Sequence, residues 1–286
     1  MAKVISFQIP KSQREFVRYQ EDLGSHFYDK LHQHPQWQLT LIGEGKGQFL
    51  SGDYVGRFQS GDVFLVGENV PHVFRSDPEY FEGKPDLKSF GKTVFFDFQA
   101  LGHALEEVED LQELKKFHDR TGTCFRVLGE SREKVTRIFE VFGQSSGLNR
   151  LQMAFQVLAL VQNESAELQA LNQNPINLSL SERDGNRMDQ VIQFLLQERN
   201  RPISLQEGAD KANMSKEAFC RFFKLRTRKT FTQYLQQLRI NEAQKLLLET
   251  DLSISTIAFQ VGFENLSYFN RAFKSILGVT PREFRK

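Results

Sequence analysis

The sequence predicts an α+β chain of more than one domain. A β-rich N-terminal part closes into a small antiparallel barrel and carries a helical hairpin. An all-α C-terminal part follows, with two helix-turn-helix units joined by a connector helix. Three observations predict this. Short aromatic and branched runs, punctuated by Gly, Asp, Asn or Pro, fill the first 120 residues. From Ser131 onward apolar residues recur at helical spacing instead. A segment of about 50 residues then occurs twice within the last hundred. At 286 residues the chain is long enough to bury two separate cores.

The β-rich part spans residues 1–130. Runs at 31–42, 45–59, 61–74 and 91–98 read as strands, and Gly43 to Gly47 and Gly52 to Asp53 read as hairpin turns. Three histidines stand out in this block. His32 and His34 are two apart, so on a strand they face one side, and His72 follows at the end of the third run. With Gln38 nearby, three imidazoles can hold Zn²⁺, Fe²⁺ or Ni²⁺, line a pocket for a polar small molecule, or serve only as packed structural side chains. No other catalytic constellation is present: the chain has no GxSxG elbow, no phosphate-binding Walker loop and no GxGxxG opening a helix. An enzymatic reading would depend on the histidines alone.

Residues 131–171 read as an αα-hairpin. Val135, Ile138, Phe139 and Phe142 form one stripe, and Leu151, Ala154, Phe155, Leu158 and Val161 form a second that Leu168 and Leu171 continue. Ser145-Ser146-Gly147 separates them. The hairpin can cover the open side of the barrel, expose an apolar edge for self-association as a homodimer, or do both. Residues 172–186, NQNPINLSLSERDGN, are polar and aperiodic and read as the interdomain linker.

Residues 187–286 read as helices throughout. Ser204, with Glu207 three residues on, makes a capping box, and Asn213-Met214-Ser215 makes a turn into a helix with Phe219, Phe222 and Phe223 inward and Arg221, Lys224, Arg226 and Arg228 outward. A connector runs from Phe231 to Glu249. After it, Ile254, Ile257, Ala258 and Val261 form a short stripe that Gly262 stops, and Glu264 or Asn265 caps a helix bearing Phe269, Ala272 and Phe273. Arg221-x-Phe223-Lys224 and Arg271-x-Phe273-Lys274 are spaced alike from Thr230 and Thr280. One helix-turn-helix therefore occurs twice. Charge divides at the same place: residues 1–185 hold 20 Lys+Arg against 26 Asp+Glu, and residues 186–286 hold 17 against 10. A basic module behind an acidic one points to a polyanionic partner for the C-terminal half.

The last hundred residues resemble the DNA-binding domain of the AraC/XylS family of transcription regulators. The first half of the resemblance lies in Ala212-x-Met214-Ser215, Phe219-x-Arg221-x-Phe223-Lys224 and Thr230-Phe231-x-x-Tyr234-Leu235. The second lies in Gly262-Phe263, Ser267-Tyr268-Phe269-x-Arg271-x-Phe273-Lys274 and Gly278-x-Thr280-Pro281. The N-terminal block resembles the cupin superfamily through His32-x-His34, Gln38, Gly45, Gly61-Asp62 and Pro71-His72, with Gln38 standing where a metal cupin has Glu. A cupin-like barrel is the usual partner of this DNA-binding domain, so the resemblance covers nearly the whole chain.

That resemblance implies a sequence-specific transcription regulator with double-stranded promoter DNA and a small-molecule effector as partners. Contact with RNA polymerase is also open. Helix residues not spent on the core, which match the family's base-contacting positions, are Glu217, Cys220 and Arg221 in the first unit and Leu266, Ser267, Asn270 and Arg271 in the second. Salt bridges inside the bundle are the alternative for Arg221 and Arg271. Ser215, Lys216, Lys224, Asn265 and Lys274 are placed on phosphates. Two reading helices on one connector should meet DNA about 34 Å, or ~10 base pairs, apart. The effector pocket is expected at His32, His34, Gln38 and His72, with no cofactor and no metal assigned.

The remaining expectations are exclusions. Cys124 and Cys220 lack metal or disulfide spacing. No run is long and apolar enough for a membrane span and the N-terminus lacks a secretion-signal layout, so a cytoplasmic protein is expected. A metal-dependent cupin enzyme with a DNA-binding appendage is the competing class; a nonspecific DNA-packaging protein is disfavoured by the sensor-like N-terminal part.

Overall fold

The computed structural model describes residues 15–119, 122–163, 166–172 and 181–285. The chain divides into two units, residues 1–180 and 181–286. In the first unit β1 (Val17–Gly24), β2 (Trp37–Glu44), β3 (Gly47–Ser51), β4 (Tyr54–Phe58), β5 (Val63–Val66), β6 (His72–Ser76), β7 (Ser89–Phe96), β8 (Cys124–Val127) and β9 (Leu168–Ala170) form two sheets. Their orders are β1-β7-β2-β5-β8-β9 and β4-β3-β6. Every pairing is antiparallel.

Alternation along β2 decides what each face does. Trp37, Leu39 and Leu41 join Val63, Leu65, Val94 and Phe96 in a core covered by helices, so this face is dry. Gln38, Thr40 and Ile42 point the other way, toward the three-stranded sheet. The covering helices are α1 (Ala104–Glu107), α2 (Gln112–His118), α3 (Gly129–Phe142) and α4 (Gly147–Gln162). The stripe Val135, Ile138, Phe139, Phe142 and its partner Ala154, Val157, Leu158, Val161 are all in that core, which makes the hairpin a lid on the sheet. Val141 and Leu148 of the same helices stay exposed.

Several sequence expectations change here. Gly43 to Gly47 is a corner between sheets rather than a hairpin turn, because β2 and β3 pair with different strands; Gly52 and Asp53 do join the β3–β4 hairpin, with Ser51 opposite Tyr54 and Gly52 at φ +56°. The polar edge strand β1 and the short helices α1 and α2 gave no apolar alternation to detect. Leu168 does not continue α4: it lies in β9 opposite Val127, and Leu171 packs between the sheets. The linker expected over 172–186 is shorter at both ends. Asn172 is buried, donating to the Ser51 carbonyl at 2.7 Å and accepting from the Cys124 N–H at 2.8 Å, and residues 182–186 already belong to a helix. Residues 173–180 lie outside the described residues.

The second unit contains α5 (Glu182–Glu198), α6 (Leu205–Lys211), α7 (Lys216–Thr227), α8 (Phe231–Glu249), α9 (Ile254–Gln260), α10 (Leu266–Leu277) and α11 (Pro281–Arg285). Side-chain oxygens of Ser181, Ser204, Ser215, Thr230, Ser253 and Asn265 accept a backbone N–H at six of these N-termini. The connector α8 is apolar around much of its circumference because it serves two cores. Phe231 and Tyr234 meet Phe219 and Phe223 of α7 edge-on. About two to four turns later Ile240, Ala243 and Leu247 pack with Ile257, Ala258, Phe269 and Phe273 of α9 and α10.

Candidate DNA-reading faces and effector cavity

The two helix-turn-helix units repeat each other bond by bond. In the first, the turn passes through Asn213 at φ +52° and Met214 N–H bonds the Ala209 carbonyl at 3.0 Å; in the second, Gly262 sits at φ +94° and Phe263 N–H bonds the Ala258 carbonyl at 3.0 Å. The second turn has one more residue, Glu264, so Asn265 is the cap. Both reading helices end in a left-handed residue, Arg228 at φ +56° and Gly278 at φ +78°. Thr230 and Thr280 then accept the N–H three residues on, at 3.3 Å in both.

Inside this frame the phenylalanines decide which side chains face outward. Phe219 and Phe223 of α7, like Phe269 and Phe273 of α10, are fully buried. Glu217, Cys220, Arg221 and Lys224 are therefore one exposed stripe at i, i+3, i+4 and i+7. On α10 Leu266, Ser267, Asn270, Arg271 and Lys274 are its counterpart, each 50 positions beyond Lys216, Glu217, Cys220, Arg221 and Lys224. All ten are exposed. The alternative of a salt bridge inside the bundle is not realised for Arg221 or Arg271 among the described residues, whereas Arg226, expected to project, donates to Asp184 of α5 at 2.6 Å and stacks over Phe222.

Ser215 and Asn265 are committed to capping, accepting from Ala218 N–H at 3.3 Å and Tyr268 N–H at 3.0 Å. A phosphate would have to share them with the helix. Glu217 stays ionised: its own backbone N–H and the Ser215 hydroxyl hold its carboxyl below the usual range. Arg239 and Tyr268 belong to the motifs that carry the family resemblance, but the sequence assigns neither of them a role. Arg239 of α8 donates to the Arg199 and Arg201 carbonyls at 2.8 and 2.7 Å, tying the chain that leaves α5 to the connector helix. Tyr268 is bonded to Gln236 of α8.

Between the two sheets of the N-terminal unit lies a cavity of about 480 Å³. Gln38 and Thr40 of β2, Thr93 and Phe95 of β7, Phe74 of β6 and His32 contribute to its wall, and Glu21, Asp22 and Asp29 make part of it acidic. Thr40 and Thr93 hydroxyls meet at 3.0 Å. The histidines reach this place differently from the sequence expectation. β2 begins only at Trp37, and His32 pairs with His72 in an isolated antiparallel bridge, its N–H 3.1 Å from the His72 carbonyl. The three rings still converge, with centroids 4.4 to 6.0 Å apart.

Burial pushes the rings toward the neutral form. His32 is lowered to about 4, His34 is lowered, and His72, which also feels both neighbours, is lowered well below the ordinary value. Cys124, buried in the apolar cluster with Phe49, Phe64 and Val66 and 3.1 Å from the Ser51 hydroxyl, is pushed up to about 12 by desolvation and is an inert thiol.

Comparison with known proteins covers both units. The family of the AraC-like ligand binding domain matches residues 15–201, and a helix-turn-helix domain family matches residues 209–286. The transcriptional activator RhaR of Klebsiella pneumoniae is 34% identical over 257 residues, covering 89% of this chain and 86% of that protein. The HTH-type transcriptional regulator YfiF of Bacillus subtilis is 24% identical over 281 residues, covering 94% and 83%. The crystal structure of ToxT from Vibrio cholerae aligns over 94% of this chain and 97% of that one, at 13% identity and a TM-score of 0.38. No helix among the described residues is long and apolar enough to cross a membrane.

Proposed function

The chain belongs to the AraC-type family of DNA-binding, effector-controlled transcription regulators, and from that premise we propose how its residues divide the work. Arg221, Glu217 and Cys220 of α7 and Arg271, Asn270, Ser267 and Leu266 of α10 read base edges. Arg forks to guanine, Asn pairs with adenine, Glu accepts from a cytosine amino group and Leu266 meets a thymine methyl. Lys216, Lys224 and Lys274, with the capped helix N-termini at Ser215 and Asn265, hold phosphates. The observation that carries this assignment is the pair of matching exposed stripes, left outward once the four phenylalanines are buried.

The effector occupies the cavity bounded by Gln38, Thr40, Thr93 and His32, whose hydroxyl, amide and carboxylate lining suits a polyhydroxylated or cationic molecule better than an anion. The histidine cluster serves binding rather than turnover; the relatives reported above are named as regulators. The protein works in the cytoplasm as a homodimer through the exposed edge of α3 and α4. It activates transcription, as the name of RhaR states for that protein, through contact with RNA polymerase.

Selection of bound duplexes from randomised DNA, followed by footprinting of the winners at ~100 mM salt, tests the reading. Two protected blocks about 10 base pairs apart on one face are expected. Equal binding to every duplex, lost uniformly as salt rises, would refute sequence-specific reading.

A further inference from the structure

Arg226 carries a charge on the side of α7 that the core covers. At 3.6 residues per turn it stands about 180° round the helix from Glu217, behind the reading stripe and in the same arc as Phe219, Phe222 and Phe223. Its guanidinium carbon lies 4.0 Å from the centre of the Phe222 ring. One nitrogen donates to the Phe222 carbonyl at 3.2 Å and another to the Asp184 carboxylate of α5 at 2.6 Å. Both side chains are largely covered, at 16% and 25% exposed. A charge in such a place loses hydration that its partner at best offsets, and a well-packed apolar residue usually serves stability as well. The second helix-turn-helix supplies that comparison within the same chain. Fifty positions on, Ile276 stands for Arg226 and Ala272 for Phe222, and Ile276 packs against the apolar core. The motif folds without an ion pair at this position. What the pair adds is geometry, because a hydrogen-bonded ion pair fixes distance and direction whereas apolar surfaces can slide.

The partner is held as firmly as the pair itself. Asp184 lies in the first turn of α5, and its N–H donates to the hydroxyl of the capping Ser181 at 3.2 Å. At the far end of α5, Arg199 donates to Glu242 of the connector at 3.0 Å, and the Arg199 carbonyl accepts from Arg239 at 2.8 Å. With 17 residues this helix is about 25 Å long. It is a strut fastened to the connector at one end and to the last turn of α7 at the other. The N-terminal end of α7 is fixed by the turn at Asn213 and the Ser215 cap. Two fixed points set the tilt of a rod, and one does not. Side chains that must meet base edges need to be held to about 0.5 Å and 10–20°. Among the described residues no ion pair involves α10.

We propose that Asp184 is a positioning residue for DNA reading by the first helix-turn-helix alone: through Arg226 it sets the tilt of α7, so that α5 controls how sharply one block of the site is read and leaves the other block untouched. This role rests on the assignment of base reading to α7 and adds to it a residue on a different helix.

Fluorescence anisotropy of the full chain at fixed salt compares three duplexes: a selected one, one with the first block changed and one with the second changed. The quantity read is the ratio of affinities between the intact duplex and each variant. Partial unfolding lowers all three affinities by the same fraction, and a change in net charge scales them alike, so neither moves the ratios. Arg221→Ala identifies the block read by α7 as the one whose ratio falls. Asp184→Ala should lower that same ratio by about 5-fold or more, equivalent to one base contact at the low end of its range, and leave the other ratio unchanged. Arg226→Met, which keeps an apolar stem on Phe222 and removes the charge, should do the same, and the double variant should lose no more than either single one. An unchanged ratio for that block in Asp184→Ala overturns the proposal, as do an equal fall in both ratios or additive losses in the double variant. If Arg221→Ala lowers neither ratio, α7 does not read bases and the proposal falls with that assignment. If Arg221→Ala lowers one ratio and Asp184→Ala lowers neither, base reading stands and the positioning role alone is refuted. Should Asp184→Ala fail to fold, Arg226→Met decides; failure of both to fold would make the pair a contact that the fold requires, which also overturns the proposal.

Discussion

Arg271 is exposed on α10 and forms no salt bridge among the described residues, so Arg271→Ala removes the proposed base contact without removing a fold contact. Stability should move by no more than about 0.5 kcal/mol. A bidentate Arg–guanine contact discriminates by about 1–3 kcal/mol, which at ~1.4 kcal/mol per tenfold is a loss of roughly 5- to 150-fold on the preferred duplex. On a duplex already lacking that guanine the loss should be small. Lys274, one turn further along, is assigned to a phosphate. Lys274→Ala should therefore weaken all duplexes alike and reduce the slope of log K against log salt by about 0.9. Fluorescence anisotropy on a selected duplex and its single-base variants, between about 50 and 200 mM salt, measures both quantities. If Arg271→Ala weakens every duplex by one common factor, the assignment of base reading to this stripe fails.

Three further outcomes are expected. Gly262→Ala places a Cβ 2.5 Å from the Arg199 carbonyl and 2.9 Å from Arg239 Nε at φ +94°, and should cost about 1–3 kcal/mol in urea unfolding; Gly278→Ala, with a left-handed φ but open space around its Cβ, should cost less, and equal losses would remove the close approach as the cause. His118 Nε2 donates to Glu68 at 3.0 Å, and this hydrogen bond raises the imidazole above its ordinary value. Because the folded value is the higher one, the stabilisation is complete below the unfolded value of about 6.5 and disappears as pH rises through the folded value. The melting-temperature difference between wild type and His118→Gln should thus be largest on the acid side and shrink with rising pH; the opposite trend would refute the sign. Phe273→Ala empties a fully buried site against Phe269 and Phe284 and should destabilise the C-terminal unit by about 3–5 kcal/mol in denaturant unfolding; a loss below ~1 kcal/mol would show that its core is not packed as described.

The sequence by itself determined the C-terminal unit almost completely. Helix periodicity, caps and turn residues are local, and the same local rules written twice, at Asn213 and Gly262, at Phe223 and Phe273, at Thr230 and Thr280, leave little freedom about which side chains face outward. It also separated a basic half from an acidic one and singled out His32, His34, Gln38 and His72. Tertiary structure decided what depends on partners distant in sequence. The edge strand β1 is polar and acquires its conformation from pairing with β7. β9 follows a helix and is a strand only because β8 offers an unpaired edge. Asn172, on the sequence a linker residue, is buried because Ser51 and Cys124 bond it. The ring orientations of His32, His34 and His72 are set by the carbonyls of Lys30, Gln36 and Val70, each 2.8 to 2.9 Å from an Nδ1. Spacing of side chains along a chain follows from the backbone's own period, whereas the direction of a carbonyl or the pairing of an edge is set by contacts that form only on folding.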